Sequence, residues 1–194
     1  MSSTFLETIK IVDGEIFNLE YHQKRYESVL KALGANHIQN LQEFITPPEW
    51  GLYRCRLIYD TQSVDVTFHE YKKREIATLK LIFENDIEYA HKSTAREDID
   101  TLFEQREEGD DILIIKNLLV TDTSIANIAF ETSDGQWITP KNPLLKGTTR
   151  ARLLDEGKLL EVDIKVNELR SFKRVALLNA MIDFDILDRY EFLI

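Results

Sequence analysis

Apolar residues dominate 4–12, a stretch rich in β-branched side chains, which predicts a strand. Asp13-Gly14 follows, and residues 15–19 resume the extended pattern. Asp-Gly between two such runs predicts a hairpin. Leu19, His22, Tyr26, Val29, Leu30 and Leu33 then recur at helical spacing, with Gly34 as the stop. Pro47-Pro48 breaks the chain ahead of strands at 52–59 and 64–71, joined by a polar turn at 60–63, and of a third strand at 77–83. The polar stretch 84–96 predicts the connection between an N-terminal α+β subdomain, residues 1–86, and a C-terminal subdomain, residues 87–194. Beyond it the pattern predicts a helix at 97–106, a buried strand at 111–116 and a strand at 125–131 closed by Asp134-Gly135. Residues 137–140 extend into a loop. A helix opens at Gly147-Thr148-Thr149-Arg150, a strand lies near 160–166, a helix starts at an Asn167 cap, and a strand lies near 175–179. Strands and helices mix without regular βαβ alternation, so the class is α+β rather than a doubly wound sheet.

Charge narrows the partners. The formal net charge of −10 argues against holding nucleic acid by general phosphate attraction, though it leaves room for a local basic pocket. The single cysteine, Cys55, excludes a disulfide within the chain and reads as a buried thiol in a reducing compartment. No apolar run reaches the length of a membrane helix, and Met1-Ser-Ser-Thr-Phe-Leu-Glu has neither the basic nor the apolar region of a signal peptide. A cytoplasmic protein with neither membrane nor nucleic-acid partner is the expectation.

Three stretches could carry chemistry, and each also has a plainer reading. Gly147-Thr148-Thr149-Arg150 puts two hydroxyls at a helix start, where unpaired N–H groups and the helix dipole favour an anion; the plainer reading is a capped helix. Lys92, in a polar stretch between two apolar halves, could be shielded from water, which lowers an amine's pKa and frees it to attack a carbonyl; the plainer reading is a solvated linker lysine. Asp122, Thr123, Ser124 and Asn127 precede an apolar strand, and a carboxylate there could keep a pyridine nitrogen protonated; the plainer reading is a polar turn.

The order and spacing of these stretches resemble the class IV aminotransferase and 4-amino-4-deoxychorismate lyase family, the fold-type IV pyridoxal-phosphate (PLP) enzymes. The resemblance runs from Phe5-Leu-Glu-Thr8 through Tyr21-His-Gln-Lys-Arg25, Lys92 and the 122–130 run to Gly147-Thr-Thr-Arg150. It implies a D-amino-acid aminotransferase-like fold of two small subdomains with the cofactor cleft between them. It implies that Lys92 carries PLP and then transfers protons. Arg25, Thr148 and Thr149 would bind the cofactor phosphate, Asp122 the pyridinium nitrogen, and Asn127 the cofactor's edge and the strand turn around it. No metal is implied. A homodimer with pocket residues from both subunits is implied as well. The sequence departs from the family in two places. Asp122 stands where the family usually has glutamate, one methylene longer, and the glycine-rich segment that usually precedes the Phe-Glu-Thr strand is not seen.

Substrate carboxylates call for arginine, whose planar fork matches them with two bonds. Arg54, Arg56 and Arg96 are the candidates, and Arg54 and Arg56 fall on one face of a predicted strand. Their plainer role is to pair with acidic side chains. Two carboxylates on the substrate would favour the lyase reaction, from 4-amino-4-deoxychorismate to 4-aminobenzoate and pyruvate. An aminotransferase acting on branched-chain or D-amino acids, and a PLP-binding protein without catalysis, are the other readings. The roles of His22 and His91 stay open.

Overall fold

The computed structural model describes residues 4–194; the first three, part of the stretch read for a leader pattern, lie outside it. The chain forms two compact units, residues 1–73 with 91–95, and residues 74–90 with 96–194. Strand Thr78–Phe83, placed with the N-terminal half by its position in the sequence, belongs to the second unit because it pairs with a strand there.

In the first unit, β1 (Phe5–Val12), β2 (Glu15–Ile16), β3 (Leu52–Tyr59) and β4 (Val64–Glu70) form an antiparallel sheet in the order β2-β1-β3-β4. Asp13 and Gly14 both have positive φ, the two-residue turn whose twist suits a hairpin. One face of the sheet packs on α1 (Leu19–Ala32), which buries His22, Tyr26, Val29 and Leu30. The helix ends as Gly34 predicts. Gly34 N–H donates to the Lys31 carbonyl and Ala35 N–H to that of Leu30, satisfying the last turn with a left-handed glycine.

The second unit is built on a nine-stranded sheet among the described residues. Strands β5 (Thr78–Phe83) and β6 (Asp111–Lys116) run parallel, with α2 (Glu97–Glu104) packed over them. β7 (Leu119–Thr123), β8 (Asn127–Glu131) and β9 (Trp137–Pro140) continue antiparallel, and β10 (Leu160–Val162) joins β9 in parallel. Helix α3 (Thr148–Asp155) follows β9. β11 (Arg174–Asn179) pairs with β8 and with β12 (Asp183–Ile186), and β13 (Glu191–Leu193) closes the other edge beside β5. The class is α+β.

Several expectations are corrected. The polar run at 121–124 is not a turn entering a strand: residues 119–123 form β7, and the loop is confined to the residues before Asn127. Residues 137–140 are strand, not loop. The helix expected from an Asn167 cap is a 3-10 helix, Val166–Ser171, capped by Lys165. β12 and β13 had no counterpart in the apolar pattern.

Candidate active site

In the second unit the pieces meet around one hairpin. β6 and β8 flank β7, so its side chains are buried despite their polarity. Thr121 Oγ1 donates to the Ile114 carbonyl, and Thr123 Oγ1 accepts from Ala126 N–H, closing the loop to β8. Asp122 and Asn127 thereby stand as a directly opposed pair.

Asp122 is 5% exposed, and both its oxygens are engaged. Oδ1 accepts from Asn127 Nδ2 at 2.7 Å and Oδ2 from Leu145 N–H at 2.8 Å. Burial pushes its pKa up from 3.8 to about 6, against the lowering effect of these donors and of the Arg150 charge. An ionised carboxylate has about four lone-pair sites. Room therefore remains beside these two donors, and the carboxylate gains most from a cation.

Asn127 has a second task. The same Nδ2 donates to the Leu145 carbonyl at 2.8 Å, and Oδ1 lies against the backbone of Gly147. A Cβ at Gly147 would stand 2.1 Å from that oxygen. Gly147 is thus required by close approach, since its φ of −69° suits any residue. It caps α3 without a side-chain hydrogen bond, so the first N–H groups of the helix stay available for an anion. Thr148 and Thr149, in that first turn, are both buried. Arg150 is tied instead to the Pro140 carbonyl at 2.8 Å and to Glu161 at 2.6 Å, anchoring α3 to the ends of β9 and β10. One amide side chain therefore joins a buried acid to a helix start whose first N–H groups are open to an anion.

The first unit holds the amine. Residues 92–94 lie along the free edge of β1: Leu6 N–H donates to the Lys92 carbonyl at 2.9 Å, and Phe5 bridges Ser93. Next on β1 is Glu7, which the motif Phe5-Leu-Glu-Thr8 contained without a role. It is fully buried, in phase with Ile9 and Ile11. A carboxylate in the apolar phase of a strand was the signal for it. Arg25 donates to Glu7 through Nε at 2.8 Å and through Nη2 at 2.5 Å, and His22 Nδ1 lies 2.6 Å from Glu7 Oε2. Burial alone would raise the carboxyl pKa, but the Arg25 charge and the hydrogen bonds hold it down at about 2. Arg25 is no exposed helix arginine; it is aimed by Glu7, with 15% of its side chain open. Near Glu7 and Arg25 the Tyr59 hydroxyl is buried with no hydrogen-bond partner. His91 contacts Phe5 edge-on at 6.0 Å.

The substrate candidates differ among themselves. Arg54 and Arg56 pair in register with Lys10 and Thr8, on the sheet face opposite α1, and neither forms an ion pair among the described residues. Arg96 is committed to support: it donates to the Ser124 carbonyl at 3.0 Å, bracing the β7–β8 loop, and lies beside Asp100. Cys55 is buried, and burial pushes its thiol up to about 11, which makes it inert. No helix among the described residues is long and apolar enough to cross a membrane.

Comparison with known proteins gives the arrangement a context. The family model for amino-transferase class IV matches residues 4–184. An uncharacterised protein of Haemophilus influenzae is 38% identical over 181 residues, covering 90% of this chain and 96% of its own. A Schizosaccharomyces pombe protein, provisionally named as an aminodeoxychorismate lyase, is 30% identical over 203 residues, covering 92% of this chain and 86% of its own. The crystal structure of a protein from Haemophilus somnus, provisionally named as a 4-amino-4-deoxychorismate lyase, superposes with a TM-score of 0.86 at 34% identity, covering 93% of this chain and 97% of that one.

Proposed function

Since the chain belongs to the class IV aminotransferases, a PLP-dependent enzyme family, we propose that it binds PLP through Lys92 and acts as a 4-amino-4-deoxychorismate lyase. The observation that carries the cofactor reading is the Asp122–Asn127–Gly147 tie, which secures a buried acid to an uncapped helix start. The residues present fit PLP. In the second unit Thr148, Thr149 and the first N–H groups of α3 would take the phosphate and Asp122 the ring nitrogen; in the first unit Arg25 is the residue that the family resemblance assigns to the phosphate. Asn127 holds Asp122 in place, and Glu7 does the same for Arg25.

When bound, PLP supplies an electron sink for breaking bonds at the carbon that carries the substrate's amine. The protein's own groups do the rest. Asp122 keeps the ring nitrogen protonated. With the cofactor held, the Lys92 amine would take the proton from the amine-bearing carbon, and as an ammonium it would assist departure of the enolpyruvyl group. Arg54 and Arg56, which form no ion pair among the described residues, would recognise the two substrate carboxylates. The active form in this reading is a homodimer, as the family resemblance implies, in the cytoplasm; light scattering that returns a monomer would count against the dimer.

The test has two parts. Purified protein with PLP should show a visible absorbance band that borohydride fixes covalently on Lys92 and that Lys92→Ala abolishes. Incubation with aminodeoxychorismate should release fluorescent 4-aminobenzoate. Conversion of PLP to pyridoxamine phosphate by branched-chain or D-amino acids, without 4-aminobenzoate, would make the chain an aminotransferase instead. A protein that takes up no PLP would refute the cofactor assignment.

A further inference from the structure

His22 stands apart from the other residues that α1 buries. Tyr26, Val29 and Leu30 pack in an apolar cluster, whereas a buried imidazole must find a partner for its N–H. His22 is 1% exposed, and its Nδ1 lies 2.6 Å from Glu7 Oε2. Burial opposes ionisation of Glu7, but the Arg25 charge and the hydrogen bonds outweigh it, so the carboxylate can only accept. The His22 proton therefore sits on Nδ1 and points at Oε2. His22 and Arg25 are three residues apart on α1, on one face of the helix, and Glu7 receives both. Oε1 accepts from Arg25 Nε at 2.8 Å, and Oε2 accepts from Arg25 Nη2 at 2.5 Å as well as from His22.

The third donor does what the first two cannot. The paired bonds from Arg25 make guanidinium and carboxylate coplanar, but they fix the two planes only to each other. The last torsion of a glutamate side chain is broad, so the pair could turn as a unit about Glu7. A donor from a separate side chain stops that rotation. The imidazole is itself confined by its burial, and its hydrogen bond ties the carboxylate to the frame of α1. The orientation of the guanidinium then follows from that of the carboxylate. We propose that His22 is a positioning residue for the binding of an anion by Arg25: its ring N–H anchors the Glu7 carboxylate, and the anchored carboxylate sets the plane in which Arg25 presents its N–H groups. The ligand class is a phosphate monoester, whose oxygens a guanidinium meets best when its plane is set beforehand. No bond is made or broken; the contribution of His22 is pre-organisation. This rests on the reading of Arg25 as a residue for the cofactor phosphate.

Nitrogen-15 NMR of the arginine side chains in the full chain, without cofactor, tests the positioning itself, with Arg25→Met identifying the signal. The Arg25 Nε–H signal should be sharp in the wild type. It should broaden or vanish in His22→Leu, which fills the space without a donor, and return in His22→Asn, whose amide N–H takes the place of Nδ1. Binding of PLP and of pyridoxal, which lacks the phosphate, tests the consequence. The preference for PLP over pyridoxal should fall about ten-fold in His22→Leu, with pyridoxal binding unchanged, and return in His22→Asn. If His22→Leu does not fold, His22→Gln takes its place in both measurements, because its amide falls at the Nε2 position and leaves Glu7 without the third donor. An Arg25 signal or a PLP preference unchanged when the donor is removed, or the same loss in His22→Asn, would overturn the proposal. A wild-type protein that binds pyridoxal as tightly as PLP would instead strike the phosphate role of Arg25, and the Arg25 signal would still decide whether His22 positions it.

Discussion

Gly147→Ala should disable the second unit's site by steric contact alone. The backbone there, φ −69° and ψ 149°, accepts alanine without strain. The new methyl group would stand 2.1 Å from Asn127 Oδ1 and 3.2 Å from its Cγ, more than an ångström inside normal contact for the oxygen. Either Asn127 rotates away or the start of α3 moves. If Asn127 leaves, its hydrogen bonds to Asp122 and to the Leu145 carbonyl are lost. A hydrogen bond to a charged group contributes about 1.5–3 kcal/mol and a neutral one about 1, so a loss of about 3 kcal/mol is expected. For a chain of this length that lowers the melting temperature by roughly 6–12 °C. The assay is thermal and urea unfolding of four proteins: wild type, Gly147→Ala, Asn127→Ala and the double variant. Once Asn127 is truncated the methyl group meets little, so the double variant should lose less than the two single losses combined, by at least about 1 kcal/mol. Additive losses, or a Gly147→Ala protein within about 0.5 kcal/mol of wild type, would refute the steric argument.

Two further outcomes are expected. Burial pushes the Asp122 carboxyl up from an ordinary 3.8 to about 6, so the stability its protonated form contributes is lost as pH rises from about 4 through about 6. A ring-nitrogen cation would relieve that cost. PLP should therefore raise the melting temperature more above about pH 6 than below it, and an equal rise on both sides would count against Asp122 as the ring-nitrogen partner. Tyr59→Phe removes a buried hydroxyl that has no partner, so stability should hold or rise by about 1 kcal/mol in urea titrations; a loss of that size would reveal a partner such as a bound water.

Legibility in the sequence followed the range of the interactions. The β1–β2 hairpin and the end of α1 were readable because Asp13-Gly14 and Gly34 act locally, on backbone a few residues away. β6 was readable because an unbroken apolar run bounded by charge fits only a buried strand. β7 was hidden. Thr121, Asp122 and Thr123 look like loop residues, and their burial is made possible by acceptors and donors on Ile114, Ala126, Asn127 and Leu145 that no local pattern shows. The Gly147 motif could be seen, but the need for glycine came only from Asn127, twenty positions earlier in the chain. Glu7 was in plain view and still passed over, although a charged residue in phase with Ile9 and Ile11 requires buried partners. Lys92 gave no local sign of its setting, since the strand that holds it lies at the opposite end of the first unit's sequence.

The path of the backbone has a practical consequence. Residues 91–95 belong to the first unit although their neighbours on both sides belong to the second, so the chain passes between units at 73/74, 90/91 and 95/96. No single scission can release either unit whole. A gene split after codon 73 would leave the lysine-bearing pentapeptide on the wrong fragment, and complementation of the halves would depend on that peptide docking as a guest along β1. The amine of Lys92 is, topologically, on loan.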